Sequence, residues 1–314
     1  MAKYMFKRLG QTLIIIVIVS VLTFLLVSLM PKDPVYALYG TDITQEEYDV
    51  AFKQLNLDKP IPVRYLAWAG DVLHGDFGTS YRYHDDVLAV IGEKLGVTMY
   101  LCFASTIISF PIGILLGVIT AVKRGKWQDS VLTMFANIIS SIPSFVIAIV
   151  MLWIFCIKLG WLPSSGFTFP WDDFGEHIRE IIMPLFCLSI GGIASVCRQT
   201  RSSMLEAIRQ DYVRTARSKG LKEGFIIYKH VLRNGLVPII TMIGQRLAMM
   251  MGMTVFVENV FAIPGIGSLM VESVNNVDMP VLQACVMLSA LIISLAYLFT
   301  DFLYVVVDPR ISLS

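Results

Sequence analysis

Six long apolar runs dominate this chain and limit what it can fold into. They are Leu9–Met30, Val97–Val122, Val131–Ile157, Ile181–Val196, Leu236–Val257 and Val281–Val307. About 20 apolar residues in a helix cross a hydrocarbon core of about 30 Å. Inside that core every backbone polar group must be bonded within the protein, which favours helices. The first run could be a secretory signal, but it exceeds a signal h-region and no small-x-small site follows it, so it reads as an uncleaved span. The third run carries Pro143, tolerated where neighbours satisfy the freed carbonyl. The fourth is rich in small residues (Gly191, Gly192, Ala194, Ser195), which let helices approach closely. The expectation is an all-α membrane protein with six transmembrane helices.

Composition supports this. Hydrophobic residues make up 56% of the 314 and charged residues 16%, against about 25% charged in an average soluble domain. A soluble globule, a disordered chain and a secreted disulfide scaffold are disfavoured together. The formal net charge of +1 gives no reason to expect nucleic acid. Five cysteines lie in or beside apolar runs without CxxC spacing and read as small hydrophobes. The four histidines are scattered and no metal-ligand cluster is apparent.

The near-zero charge hides an asymmetry. With a cytoplasmic N-terminus, 16 of the 25 basic residues fall on the inner side, including Lys3, Lys7, Arg8, the Lys123–Lys126 cluster and the run from Arg198 to Arg233. Most acids fall outside. By the positive-inside rule both termini are expected in the cytoplasm. Trp127 at the inner boundary and Trp153, Trp161 and Trp171 near the outer one fit that orientation.

Two stretches between the spans are informative. The external stretch 31–96 contains a helix-like Thr44–Leu55, with Thr44 and Glu47 spaced for a capping box, and a turn at Gly75-Asp76-Phe77-Gly78. The basic segment 198–235 is too polar to span. It reads as a helix over Met204–Leu221 ended by Gly220 at C′, then a second over Glu223–Arg233 whose apolar residues include Phe225, Tyr228 and Val231. Its charge alone suits an anionic lipid surface; small Ala216 and Gly220 suit a docked protein. No GxxxxGK[ST], GxSxG or HExxH occurs, so the chain is expected to have no ATPase site and no bond chemistry of its own.

The run Asp211-Tyr212-Val213-Arg214-Thr215-Ala216-Arg217-Ser218-Lys219-Gly220-Leu221, followed by His230-Val231-Leu232-Arg233-Asn234, resembles the cytoplasmic coupling motif of ABC importer permeases. It is most similar to the version in the dipeptide/oligopeptide/nickel family. Arg214-Thr215-Ala216 stands where the general motif has Glu-Ala-Ala, and His230 and Arg233 replace its terminal Ile and Pro. Other pieces resemble the same family in order along the chain: Met30-Pro31-Lys32-Asp33-Pro34-Val35, Gly75-Asp76-Phe77-Gly78-Thr79-Ser80, Val257-Glu258-Asn259-Val260-Phe261, Ile263-Pro264-Gly265-Ile266-Gly267 and Asp308-Pro309-Arg310.

The resemblance implies the type I ABC importer permease fold and the B-type subunit, with residues 1–96 as first helix plus external region and 97–314 as a five-helix core holding the coupling segment 198–235. It implies a prokaryotic cytoplasmic membrane, a second permease subunit (a homologue or an identical copy), two ATP-binding subunits that carry the ATP and Mg, and an extracytoplasmic substrate-binding protein. The cargo would be di- or oligopeptides, with nickel or a metal chelate as the alternative. From a different class, a membrane scaffold or sensor would also use a basic loop. Tyr212, Arg214, Thr215, Ala216, Lys219, Gly220 and Leu221 are the residues expected to couple to the ATPase.

Polar groups inside spans are costly and therefore informative. Arg246 lies about ten residues, or roughly 15 Å, into the fifth span. It either braces against Asp301 or faces the pathway, where it would meet a peptide carboxylate or exclude cations. Asn137, Ser140, Ser141 and Gln245 either line a passage or bond between helices, and Met250 and its neighbours Met249, Met251 and Met253 either form a pliable gasket or pack. Near the outer mouth lie Asp33, Asp76, Glu258, Asn259 and Gly265, with Gly265–Asn275 read as a short re-entrant or interfacial helix. The acidic external surface is either solvated or a docking face for the binding protein.

Overall fold

The computed structural model describes residues 2–30, 33–40 and 42–307. Pro31, Lys32 and the Asp308-Pro309-Arg310 motif lie outside the described residues. Among those described, the fold is helical, with one isolated antiparallel bridge between Thr79 and Asp86. The chain divides into two compact units, residues 1–98 with 264–294 and residues 99–263 with 295–314. The first unit therefore includes a distant piece of sequence as well as the N-terminal part.

The first unit begins with α1 (Ala2–Ser28). The external stretch holds α2 (Pro34–Tyr39), α3 (Gln45–Gln54) and α4 (Ile61–Leu73). Asp33 caps α2 by accepting from Val35 N at 2.8 Å and also accepts the Tyr48 hydroxyl of α3 at 2.6 Å. This bond pushes the Tyr48 phenol up to about 12. The expected capping box of α3 is present. Thr44 N donates to Glu47 Oε2 at 2.8 Å, and Glu47 N donates to Thr44 Oγ1 at 3.3 Å. The bond from Thr44 N, and after it one from the Thr44 hydroxyl at 2.8 Å, hold the Glu47 carboxyl below its ordinary value. α4 packs on α1 through Phe24, Tyr65 and Trp68, whose rings lie 5.5–6.0 Å apart. The Ser20 and Tyr65 hydroxyls meet at 2.9 Å.

The rest of this unit is the start of α5 (Val87–Val122), α13 (Ile266–Asn276) and the start of α14 (Met279–Val307). Its core joins Val87, Val90 and Ile91 to Ile266, Leu269, Val281 and Cys285. α13 matches the short helix expected over Gly265–Asn275. Between α13 and α14, Val277 takes a left-handed conformation and Asp278 is buried. Asp278 accepts from the Ser80 hydroxyl and from Tyr81 N and Arg82 N at 3.2 and 3.3 Å. Arg82 and Tyr83 both bond Glu272 of α13, at 2.7 and 3.0 Å.

The second unit contains most of α5, α6 (Trp127–Ser141), α7 (Ser144–Met151) with a π-helical extension over Leu152–Lys158, α8 (Phe174–Ile208), α12 (Val237–Val260) and the end of α14. α5 and α8 pack closely because Gly113 and Gly117 have no side chains. A Cβ on Gly113 would lie 2.6 Å from Val196 Cβ, and one on Gly117 would lie 2.4 Å from Thr200 Cβ. The small residues of the fourth span contribute as expected at Gly192, where a Cβ would lie 2.6 Å from Ser109 Oγ of α5, while one on Gly191 would meet nothing within 4 Å; the glycines of the second span add to the contact.

Among the described residues five helices are long and apolar enough to cross a membrane, and a broken pair counts as a sixth when taken as one span. The break corrects the expectation of one continuous third span. α6 and α7 are bent by 94° at Ile142-Pro143. Proline disfavours a helical residue before it, and Ile142 is extended at ψ 123°. Ser140 and Ser141 return their hydroxyls to the carbonyls of Ala136 and Asn137, and Arg198 of α8 donates to Ala136 O at 3.3 Å and to Ser140 Oγ.

The basic segment also differs from its expected form. α8 runs 35 residues, past the apolar stretch and well into the polar sequence. The helix expected over Met204–Leu221 is interrupted at Arg209-Gln210, where Gln210 turns to ψ 151°. The turn lets α9 (Asp211–Ser218) fold back, so that Val213 and Ala216 join Met204, Ala207, Ile226 and Val231 in one apolar cluster. α10 (Glu223–Phe225) passes through a π turn over Ile226–Val231 into α11 (Leu232–Gly235).

Candidate functional site

Two features of the second unit bear on function: a cavity among the broken span, α8 and α12, and the outward face of the α9–α11 knob.

The cavity has a volume of about 540 Å³. From α12 it is lined by Met242, Gln245, Arg246, Met249 and Met253, spaced as one helical face. From the broken span come Ser140, Pro143 and Ser144, and from α8 come Gly191, Ser195 and Arg198. The break itself lies in this wall, with Ser140 at the end of α6 and Pro143 and Ser144 at the start of α7 on either side of it.

Of the residues singled out for a pathway, Ser140, Gln245 and Arg246 meet at this cavity. Asn137 lies elsewhere, in a shallow depression with Asp129, Thr133 and Arg201. Ser141 is exposed and bonds its own helix. Met250 is fully buried and its sulfur accepts from the Ser105 hydroxyl at 3.4 Å. The flexible thioethers at the cavity are instead Met242, Met249 and Met253. A run of four methionines in five positions could not say which faced in, because the helix period divides them between opposite faces.

Arg246 does not reach Asp301. Its Nη2 donates to Leu188 O of α8 at 2.7 Å, and the guanidinium lies over Gly192, where a Cβ would be 2.7 Å from Nη2. Arg246 Nε is buried without a hydrogen-bond acceptor. Arg198 reaches the end of α6, as described above. Both arginines line the cavity, and no lining residue is Asp or Glu. Among the described residues no group of His, Cys, Asp and Glu is arranged to hold a metal ion.

On the knob, α9 exposes Tyr212, Arg214 and Thr215, and Lys219 and Leu221 are exposed just beyond it. Ala216 was expected on the coupling surface, yet it is buried inside the knob at 8% exposure. The residue is small because α9 packs closely on its own core. Gly220 adopts φ +74°, so its requirement is conformational, and a Cβ there would meet nothing within 4 Å. Across that turn Arg217 grips Glu223 with two bonds, at 2.6 and 3.1 Å. This pairing holds the Glu223 carboxyl below its usual value. Phe225 and Tyr228, expected among the apolar side of the second helix, are exposed at 44% and 66%. They extend the outward surface beyond the residues the motif suggested, and their apolar character hid that role in the sequence.

The residues considered for an outer mouth fall in both units. In the first, Asp33 caps α2, Asp76 accepts from Gly78 N at 2.8 Å in the Gly75–Gly78 turn, and Gly265 is the N-cap of α13. In the second, Glu258 is fully buried, while Asn259 is exposed and donates to Val255 O at 2.7 Å.

Residues 113–313 match the family described as binding-protein-dependent transport system inner membrane component, and residues 1–102 match the N-terminal component of such proteins. A putative peptide permease protein of Brucella ovis is 37% identical over 319 residues, covering 100% of both chains. The oligopeptide transport system permease protein AppB of Bacillus subtilis is 35% identical, with 99% of each chain covered. Among solved structures, an inward-facing conformation of the MetNI methionine ABC transporter matches with TM-score 0.57 and 19% identity, over 70% of this chain and 97% of that one. That likeness extends to the fold. On the strength of the family match and the full-length relatives, this chain belongs to the inner-membrane components of binding-protein-dependent transport systems.

Proposed function

We propose that this chain is a permease subunit of an ATP-driven importer that carries peptides across the cytoplasmic membrane. The observation that carries the reading is the cavity between the broken α6–α7 span, α8 and α12, in a chain whose full-length relatives are named peptide permeases. Irregular backbone at membrane depth is tolerated where it is buried in protein or lines a cavity. The methionine wall can adapt to varied side chains, and the polar groups opposite it suit a peptide backbone.

In this reading the subunit is multi-pass with both termini in the cytoplasm, by its charge asymmetry. It pairs with a second permease subunit, and two ATP-binding subunits carry ATP and Mg. They dock on the outward face of the knob through Tyr212, Arg214, Thr215, Lys219, Gly220 and Leu221, joined by Phe225 and Tyr228. A push on α9 is transmitted by its packing on Met204 and Ala207, which belong to the same rigid helix, α8, that lines the cavity. Substrate arrives from an external binding protein, which docks on the acidic external stretch of the first unit that holds Asp33 and Asp76. ATP acts through its different affinity for the inward- and outward-open states. Nickel is the less favoured cargo, because two guanidinium groups at the cavity repel a free divalent cation.

The test is uptake of labelled tripeptide into proteoliposomes holding the complete complex. Import that depends on ATP and on the binding protein is expected. Import without any ATPase subunit would overturn the reading.

A further inference from the structure

The cavity has an unbalanced polarity. Arg198 and Arg246 both line it, and no carboxylate does. Pro143 and Ser144, at the N-terminal end of α7, line it as well, and no side chain caps that end. A helix N-terminus carries partial positive charge. Discontinuous membrane helices use such ends to face anionic parts of a substrate. Three positive features thus face one space.

Arg246 is also under-used. A guanidinium has five N–H donors, and its hydrogen bond here goes to Leu188 O alone. Its Nε is buried without an acceptor. Nε itself is closed off, but Arg246 lines the cavity with donors left over at its terminal nitrogens, and a two-oxygen acceptor suits such donors.

We infer that this cavity selects for carboxylate and receives the C-terminal carboxylate of the passing peptide on Arg246, with Arg198 and the start of α7 adding to the attraction. The inference rests on the reading of the cavity as the passage. It assigns Arg246 a role in specificity, and it explains how a passage tolerant of varied side chains can still orient its cargo, since every free peptide ends in the same group.

The first arm of the test needs no transport. A thiol is introduced by Gly191→Cys, at a lining position where a Cβ meets nothing within 4 Å. In the assembled transporter it is labelled with anionic sulfonatoethyl or cationic trimethylammonioethyl methanethiosulfonate, read by mass spectrometry and normalised to free mercaptoethanol. The anionic reagent should be favoured by about tenfold, the scale of one charge-assisted contact. Arg246→Gln should cut the preference to the smaller part that Arg198 and the start of α7 contribute, and Arg246→Lys should preserve it. If Arg246→Gln fails to assemble, Met249→Glu, which adds a carboxylate to the cavity wall, should invert the preference. A bulk-like ratio in the unaltered protein, or a ratio unmoved by these changes, overturns the inference.

The second arm compares import of trialanine and its C-terminal amide, each at saturation of the binding protein. The free acid should turn over about tenfold faster, and Arg246→Gln should shrink the difference. Equal import of both peptides with a bulk-like labelling ratio sinks the inference and leaves peptide import standing. Failure to import either peptide, with anionic labelling still favoured, sinks peptide import and leaves the anion-selecting cavity standing.

Discussion

Arg201 of α8 and Asp129 of α6 form a two-pronged ion pair, Nε to Oδ1 at 2.8 Å and Nη2 to Oδ2 at 2.9 Å. The same carboxylate accepts from Gly125 N at 3.1 Å and from the Thr133 hydroxyl at 3.2 Å. It therefore ties the α5–α6 turn, the first helix of the broken span and α8 together. Asp129 is buried, so a charge left alone there would be poorly solvated. Arg201→Ala removes the strongest of its partners and should destabilise the protein by about 1–3 kcal/mol. Arg201→Lys should cost less while losing the fork. Thermal unfolding of the purified protein in detergent checks both, and an unchanged midpoint for Arg201→Ala would remove the pair from the account of stability.

The α5–α8 contact makes a sharper steric prediction. Gly117→Ala places a methyl against Thr200 Cβ and, at 2.7 Å, against the backbone carbonyl of Cys197. Backbone cannot move aside cheaply, so a loss of about 1–3 kcal/mol is expected. Gly191→Ala, with open space, should be nearly neutral in the same unfolding assay. Equal stability of the two variants would contradict the close approach.

On the knob, burial separates folding from docking. Ala216→Arg should unfold or mis-assemble the knob, because it forces a charge among Val213, Ile226 and Val231. Thr215→Arg and Tyr228→Ala alter exposed positions. They should keep the unfolding midpoint while weakening copurification of the ATP-binding subunits. At Gly220, Asn tolerates the left-handed backbone better than Val does, so Gly220→Val should be the more damaging of the two. Full ATPase copurification with both Thr215→Arg and Tyr228→Ala would move the docking surface elsewhere.

The Arg217–Glu223 clasp predicts a pH dependence of known sign. Glu223 sits below its ordinary value of 4.5 in the folded state. Its stabilising contribution is therefore complete above the unfolded value and disappears as pH falls through the folded one. Both side chains are about half exposed, so the effect should be at most about 1 kcal/mol and shrink with salt. Glu223→Gln should remove that part of the acid sensitivity, measured as the difference in unfolding midpoint between pH 7 and pH 3 in the two proteins. An identical acid response in both would refute the clasp.

In the first unit, Asp278 gathers three donors from the loop at Ser80, Tyr81 and Arg82. Asp278→Ala leaves those donors unmet. It should cost about 1–3 kcal/mol and open the 80–86 loop to limited proteolysis, with cleavage mapped by mass spectrometry. Resistance equal to that of the unaltered protein would count against the clasp.

Much of this architecture is legible from local sequence. The apolar runs locate the spans because burial in lipid demands length and hydrophobicity, which are properties of contiguous residues. Thr44 and Glu47 announce their capping box at a spacing of three, and Gly220 announces its turn by lacking a Cβ. The basic segment and its motif identify the knob for the same reason. The sequence by itself therefore determined a helical membrane permease and the approximate position of its spans.

Tertiary structure decided which residues face what. Pro143 is visible in the sequence, but whether it kinks a span gently or turns it by 94° depends on partners such as Arg198, which lies 58 residues from Ser140 along the chain. Ala216 looked like a docking surface because smallness has the same signature whether the close neighbour is a partner or the chain's own core. Arg246 could have paired with Asp301, and only the packing of α12 on α8 sends it to the Leu188 carbonyl at the cavity. Asp129 and Arg201, and Ser80 and Asp278, meet across long separations that no periodicity encodes. Local patterns record the cost of leaving water and of bending the backbone. Pairing records which surfaces happen to meet once those costs have been satisfied.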